Sequence, residues 1–133
     1  MTRENLLAIE CEVDRAIGHL NLEGELVAES RFEPERILRE WLDGGVRGVI
    51  VRCHGLSHID SAGLSTLLGA LHRFRRKGGD LIVAELNPAL SAIFEVTSMR
   101  RYFKIFPTLA EAEIHFAQLS AQPPRHARHA EKK

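Results

Sequence analysis

The sequence is sparing in the features that most directly announce a function. Charge of neither sign predominates: Lys plus Arg number 18, Asp plus Glu number 18, and the formal net charge is zero. No global electrostatic field is therefore available to hold a nucleic-acid backbone or an anionic lipid surface, and neither direct nucleic-acid binding nor membrane insertion is expected. No stretch approaches the roughly 20 apolar residues that cross a bilayer, and the opening MTRENLLAIECEV has no long apolar run behind its charges. The expectation is a soluble, cytosolic protein. Only two cysteines occur, Cys11 and Cys53. Both lie in apolar-patterned segments rather than in a CxxC pair, so they read as small buried core residues and not as a disulfide or metal site.

What is present is enough apolar material for one core. Of the 133 residues, 44% are hydrophobic, which suits a single domain and falls short of two. Leu7, Ile9, Cys11 and Val13 alternate with Ala8, Glu10 and Glu12, and a second extended run, IGHLNLEGEL, follows closely, which predicts a hairpin. RFEPERILREWLDGG places Pro34 near a helix start, Leu38, Trp41 and Leu42 at helical spacing, and two glycines as a stop. VRGVIVRCHGL then reads as a buried central strand and SHID as the loop leading out of it. From Ser61, the residues Leu64, Leu67, Leu68, Leu71 and Phe74 form a helical stripe ending in the cations and glycines of RFRRKGG.

Downstream, DLIVAEL reads as a strand, and Asn87 with Pro88 as the cap and first residue of another helix. TSMRRYFKIF gives a short strand at most. Thr108 and Glu111 form a T-x-x-E capping box ahead of Leu109, Ala112, Phe116 and Leu119. The predicted fold class is α/β: a mixed sheet of four to five strands with about four helices packed on it, because a hairpin makes antiparallel neighbours and the later βαβ crossovers make parallel ones. Residues 1–119 form the domain. Residues 120–133, with Pro, His and charge but little to bury, are expected to form a disordered polar tail.

Three linked segments, LNLEGEL, HIDSAGLSTLLGAL and GGDLIVAELNPALSAIFEVTSM, resemble in order and spacing the STAS domains of bacterial anti-anti-sigma factors. The resemblance covers roughly residues 6 to 119 and is most specific at Asp60, Ser61, Ala62, Gly63 and Leu64. It implies that Ser61 is phosphorylated by an anti-sigma factor that is itself a serine kinase. Unphosphorylated protein would bind that factor and free the sigma factor; phosphorylated protein would not bind, and a serine phosphatase would restore it. The implied partner surface comprises residues 60–64 with His58 and Glu25. Two departures lie beside it: Arg52, Cys53 and His54 replace residues that are often acidic or neutral polar in relatives, and GELVAES lacks the aspartate that commonly follows GEL. No cofactor is implied, and monomer and weak dimer both stay open.

Two readings of Ser61 stand side by side. Serine and aspartate are both preferred N-caps, so D-S before an apolar helix arises for capping alone. A phosphate at a helix start is also tolerated by the free N–H groups and the dipole, and adds about −1.5 to −2 charges beside Asp60. Gly63 is expected to leave the helix start uncovered for the partner, and Asp60 to orient the hydroxyl or touch the kinase.

Other constellations point less far. Ser61, His54, His58 and Asp60 supply the residue types of a serine hydrolase, but Ile59 stands where a G-x-S-x-G elbow needs its first glycine. His54 with His58 read as solvated or partner-facing, and His126 with His129 as part of a mobile polar segment, rather than as metal sites. Arg73, Arg75, Arg76 and Lys77, and separately Arg100, Arg101 and Lys104, read as a helix terminus and a solvated turn. Phe94, Val96, Met99, Tyr102 and Phe103 are chiefly core candidates, with Met99 or Phe103, if exposed, an alternative anchor for a partner. Besides partner switching, a constitutive STAS adaptor in a signalling complex or lipid transporter fits the altered VRCHGL and GELVAES segments.

Overall fold

The computed structural model describes residues 6–120, so the expected tail lies outside them except for Ser120, which closes the last helix. Strands β1 (Leu7–Asp14) and β2 (Ile17–Leu26) form the hairpin, with Leu7 opposite Gly24 and Asp14 opposite Ile17. Arg15 and Ala16 make its two-residue turn, both at positive φ (55° and 68°), the backbone hand that matches strand twist. Then come α1 (Phe32–Asp43), β3 (Gly48–Ile59), α2 (Ser61–Arg76), β4 (Asp80–Ala84), α3 (Pro88–Val96), a 3-10 turn (Met99–Arg101), β5 (Ile105–Phe106) and α4 (Leu109–Ser120). The sheet order is β1-β2-β3-β4-β5, antiparallel at β1-β2 and parallel elsewhere. The expected mixed sheet with four helices is what forms.

Strand alternation divides the sheet into two apolar layers. Leu20, Leu22, Val49, Val51, Leu81 and Val83 meet the stripes of α1, α2 and α3, including Leu38, Leu67, Leu71, Phe74, Leu90 and Phe94. On the opposite face, Ile50, Ile82 and Ala84 meet Ala112 and Phe116 of α4. Gly18 lets Trp41 lie on the sheet, since a Cβ there would sit 2.4 Å from the indole.

Several expectations change. β3 runs on through Ser57 and His58 to Ile59, because pairing with β2 continues to Leu26 opposite Ile59 through two register shifts. Only Asp60 remains of the predicted loop. Cys53 is buried but Cys11 is exposed, since β1 is an edge strand that the helices cover only near Leu7 and Ile9. Phe94 and Phe103 are core; Val96 and Tyr102 are not, and Val96 is 83% exposed. Leu119, expected on the apolar face of α4, is also exposed.

The two basic segments are neither separate nor wholly solvated. Asp80, buried at the start of β4, accepts from Arg75 Nε at 2.9 Å and Lys104 Nζ at 3.0 Å, and Arg75 also donates to the Tyr102 carbonyl at 2.9 Å. A carboxylate at that depth needs such partners. Asn87 fastens α3 to the sheet: its Oδ1 caps Leu90 N–H at 2.9 Å, and its Nδ2 donates to the Cys53, His54 and Leu56 carbonyls at 3.4, 3.2 and 2.7 Å. These β3 residues lie beyond the last β3–β4 pair, Arg52 with Ala84, where β4 no longer offers a ladder partner.

Candidate functional site

β2 and β3 run parallel and end together, which brings Glu25 opposite His58 and Leu26 opposite Ile59. The chain then enters α2 through Asp60, whose extended backbone (φ −105°, ψ −174°) suits an N-cap. Asp60 Oδ1 accepts from Gly63 N–H at 2.9 Å and Oδ2 from Ala28 N–H at 3.1 Å. Its own N–H donates to the Leu26 carbonyl at 3.3 Å, and its carbonyl receives Leu64 N–H at 2.9 Å. One residue thereby caps α2 and ties it to the end of β2. Desolvation pushes the Asp60 carboxyl upward, but the N–H groups of Gly63, Ala28 and Ala62 and the charge of His58 outweigh it and hold the group below its ordinary range.

Ser61 is therefore not the cap. It is the first residue of α2, exposed, and its hydroxyl makes no hydrogen bond among the described residues. Ala62 is half-buried, whereas Gly63 and Leu64 are buried. The expected role of Gly63, baring the helix start for a partner, does not hold: a Cβ there would lie 2.2 Å from the Leu26 carbonyl oxygen and 2.8 Å from Ile59. Glycine is needed so that α2 can approach β2 inside the protein. The surface is left to Ser61, part of Ala62 and Asp60, exposed His58 and half-buried Glu25.

The sequence reading missed the loop that completes this surface. Ser30 Oγ accepts from Val27 N–H at 3.0 Å and donates to the Glu25 carbonyl at 2.7 Å, closing a tight turn that holds Ala28 against Asp60. The signal was a serine three residues after Val27, a spacing at which serine bonds local backbone. Next to that turn, Phe32 is 63% exposed, with the Arg31 guanidinium 4.9 Å from its ring centre.

The residues of a nucleophilic relay do not converge. Among the described residues no hydrogen bond joins Ser61 to His54, His58 or Asp60; Asp60 is committed to backbone amides, and His54 Nδ1 lies 3.4 Å from Glu85. Arg52, two residues before His54, donates to Glu85 from Nε at 2.9 Å. This bond is the main reason the Glu85 carboxyl is held low, with His54 adding to it against partial burial. Cys53, buried between these residues, has its thiol pushed up to about 12 by desolvation and the Glu85 charge. Among the described residues, no group of three potential ligands could hold a metal, and no helix is long and apolar enough to cross a membrane. Two concavities, one beside Leu42 and Lys77 and one beside Ile17 and Phe116, lie away from Ser61. The site is an open surface, suited to a protein rather than a small molecule.

Comparison with known proteins bears on the family and the fold. BtrV of Bordetella bronchiseptica, for which an anti-sigma factor antagonist role has been put forward, is 29% identical over 104 residues, covering 78% of this chain and 87% of BtrV. The anti-sigma F factor antagonist of Paenibacillus polymyxa is 26% identical over 106 residues, covering 76% and 85%. Bacillus SpoIIAA superposes in its unphosphorylated form with a TM-score of 0.68 at 21% identity, covering 84% of this chain and 98% of SpoIIAA. Its phosphorylated form gives 0.67 at 22% identity, covering 82% and 99%. The STAS domain profile matches residues 8–112, which hold all five strands from Ala8 onward and the start of α2. By that match and by its fold, the chain belongs to the STAS domain family.

Proposed function

We propose that this protein is an anti-sigma factor antagonist, a non-enzymatic cytoplasmic regulator that works by partner switching at Ser61. With Ser61 unmodified, the surface formed by Ser61, Ala62, Asp60, His58 and Glu25 docks an anti-sigma factor that is a serine kinase. Transfer of the ATP γ-phosphoryl group to the Ser61 oxygen ends docking, and a serine phosphatase restores it by hydrolysis. The observation that carries this reading is the division of roles between neighbours: Asp60 does the capping, so the exposed Ser61 hydroxyl has no structural duty and is open to a kinase. The names borne by BtrV and the Paenibacillus relative support the same role.

The switch needs no refolding. A phosphate brings about −1.5 to −2 charges next to a carboxylate already held ionised, and a docked partner would have to strip water from both. Effective desolvation penalties of several kcal/mol per ion, at about 1.4 kcal/mol per factor of ten, correspond to a loss of at least about 100-fold in affinity. The test combines the protein with the anti-sigma factor kinase of its own cells. Mass spectrometry after incubation with ATP should place one phosphate on Ser61, and calorimetry should show binding by the unmodified protein and by Ser61→Ala but not by the phosphoprotein or Ser61→Glu. Phosphate on another residue, or an unchanged Kd for the phosphoprotein, overturns the reading.

A further inference from the structure

Of the six large apolar side chains that are exposed among the described residues, Phe32 is the one beside the Ser61 surface; the others lie on the hairpin, at or beyond the end of α3, and on α4. It belongs to neither apolar core. β2 and β3 are parallel neighbours that end together, Leu26 opposite Ile59, and the helices that follow them, α1 and α2, pack side by side on one face of the sheet. Phe32 opens α1 as Ser61 opens α2, so both stand at the same end of one layer. Between β2 and α1, the Val27–Ser30 turn is closed by Ser30 Oγ and tied to Asp60 Oδ2 through the Ala28 N–H. The cap of α2 thus also sets where α1 begins.

Nothing inside the domain asks for an aromatic ring at position 32. Arg31, the residue before α1, makes no side-chain cap, and Ser30 Oγ is spent on its own turn. The Arg31 guanidinium lies over the Phe32 ring instead and makes no ion pair among the described residues. Aromatic and arginine side chains dominate the binding energy of protein interfaces, and groups already held in place lose little freedom on docking. An ordinary interface buries about 800 Å² on each partner, a patch roughly 30 Å wide, whereas neighbouring helices pack about 10 Å apart. A protein seated on Ser61 therefore covers Phe32 as well. We propose that Phe32, steadied by Arg31, anchors the docking at Ser61 on which this inference rests, and that the kinase meets it with an apolar pocket carrying a carboxylate at its rim. The ring enters the pocket and the guanidinium pairs with the acid. Because the ring is carried on α1, away from the reacting hydroxyl, it binds equally before and during phosphoryl transfer. The contact sets affinity and partner choice and leaves the chemical step alone.

The test uses the full chain with the anti-sigma factor kinase of its own cells, measuring Kd by calorimetry without ATP, and kcat and KM for phosphorylation with it. Phe32→Ala should weaken binding by about 10- to 30-fold, as truncation of an anchor does, and raise KM by a similar factor with kcat unchanged. Phe32→Tyr should keep most of the affinity, and Arg31→Ala should lose about threefold. Val96→Ala, at an exposed side chain on the end of α3, should change neither Kd nor KM. The urea midpoint of Phe32→Ala should match that of the unsubstituted protein, because the ring lies outside the core. An unchanged Kd for Phe32→Ala, with the unsubstituted protein bound and phosphorylated at Ser61, overturns the anchor and leaves the Ser61 reading standing. A fall in kcat at unchanged Kd overturns it too. An unsubstituted protein that the kinase neither binds nor phosphorylates removes the Ser61 reading, and the anchor with it.

Discussion

Replacing Asp60 with alanine separates the two readings of the D-S pair most directly. The substitution removes the acceptor of Gly63 N–H at 2.9 Å, a cap contribution of about 1 kcal/mol. It also removes the acceptor of Ala28 N–H at 3.1 Å, a partly solvated bond contributing about 1 kcal/mol. The expected loss is about 2 kcal/mol, or a fall in Tm of roughly 6–10 °C for a domain of this size. Asp60→Asn keeps one oxygen for Gly63 but turns an amide nitrogen, which cannot accept, toward Ala28, so about half the loss is expected. Ser61→Ala should change stability by less than about 0.5 kcal/mol, as an exposed, unbonded side chain does. Because the folded-state pKa of Asp60 is depressed, its contribution is fully present above the unfolded value of about 3.9 and disappears as pH falls through the lower folded value. Urea unfolding of the three variants between pH 7 and acid, with hydrogen exchange at Ala28 and Gly63, measures all of this. A stable Asp60→Ala with a weakened Ser61→Ala would refute the assignment of the cap.

Three further outcomes follow from the packing. Gly63→Ala should cost about 1–3 kcal/mol, because the 2.2 Å clash is with the Leu26 backbone and cannot rotate away; Gly69→Ala, facing only the mobile Arg73 guanidinium at 3.5 Å, should stabilise α2 by up to about 1 kcal/mol. Asn87→Ala should lower stability by about 2–4 kcal/mol in urea, since it removes a cap and strands β3 carbonyls together; equal stability would show that water replaces the amide. In the native protein a thiol reagent should modify Cys11 and spare Cys53, whose thiol is buried and pushed up to about 12, and both should react in denaturant.

Much of the fold was legible because it rests on local periodicity. The α2 stripe from Leu64 to Phe74, the Asn87-Pro88 start of α3 and the alternation in β1 each report one face of one element. Thr108 Oγ1 accepts from Glu111 N–H at 3.1 Å, as half of the predicted capping box. Local pattern gave no measure of which face a neighbour would cover. Cys11 and Val96 have the composition of core residues, yet one lies on an edge strand and the other at the end of a short helix, where no element packs on them.

At the site, sequence alone determined that an aspartate and a serine stand at the entry to α2, because a β-rich run gives way there to a helical stripe. Which of the two is the cap was decided by the tertiary structure. Asp60 reaches the Ala28 amide only because parallel pairing of β2 with β3 brings their ends together. The same pairing buries Gly63 against Leu26, so that a glycine which reads as an opening for a partner is instead a point of close internal contact. Arg52 and His54 meet Glu85, 33 and 31 positions away along the chain, through the other parallel pairing, that of β3 with β4, which sets Arg52 opposite Ala84. Sequence periodicity specifies elements and their apolar faces; the register between strands distant in sequence specifies which polar groups find one another, and that choice left the Ser61 hydroxyl without a hydrogen bond among the described residues.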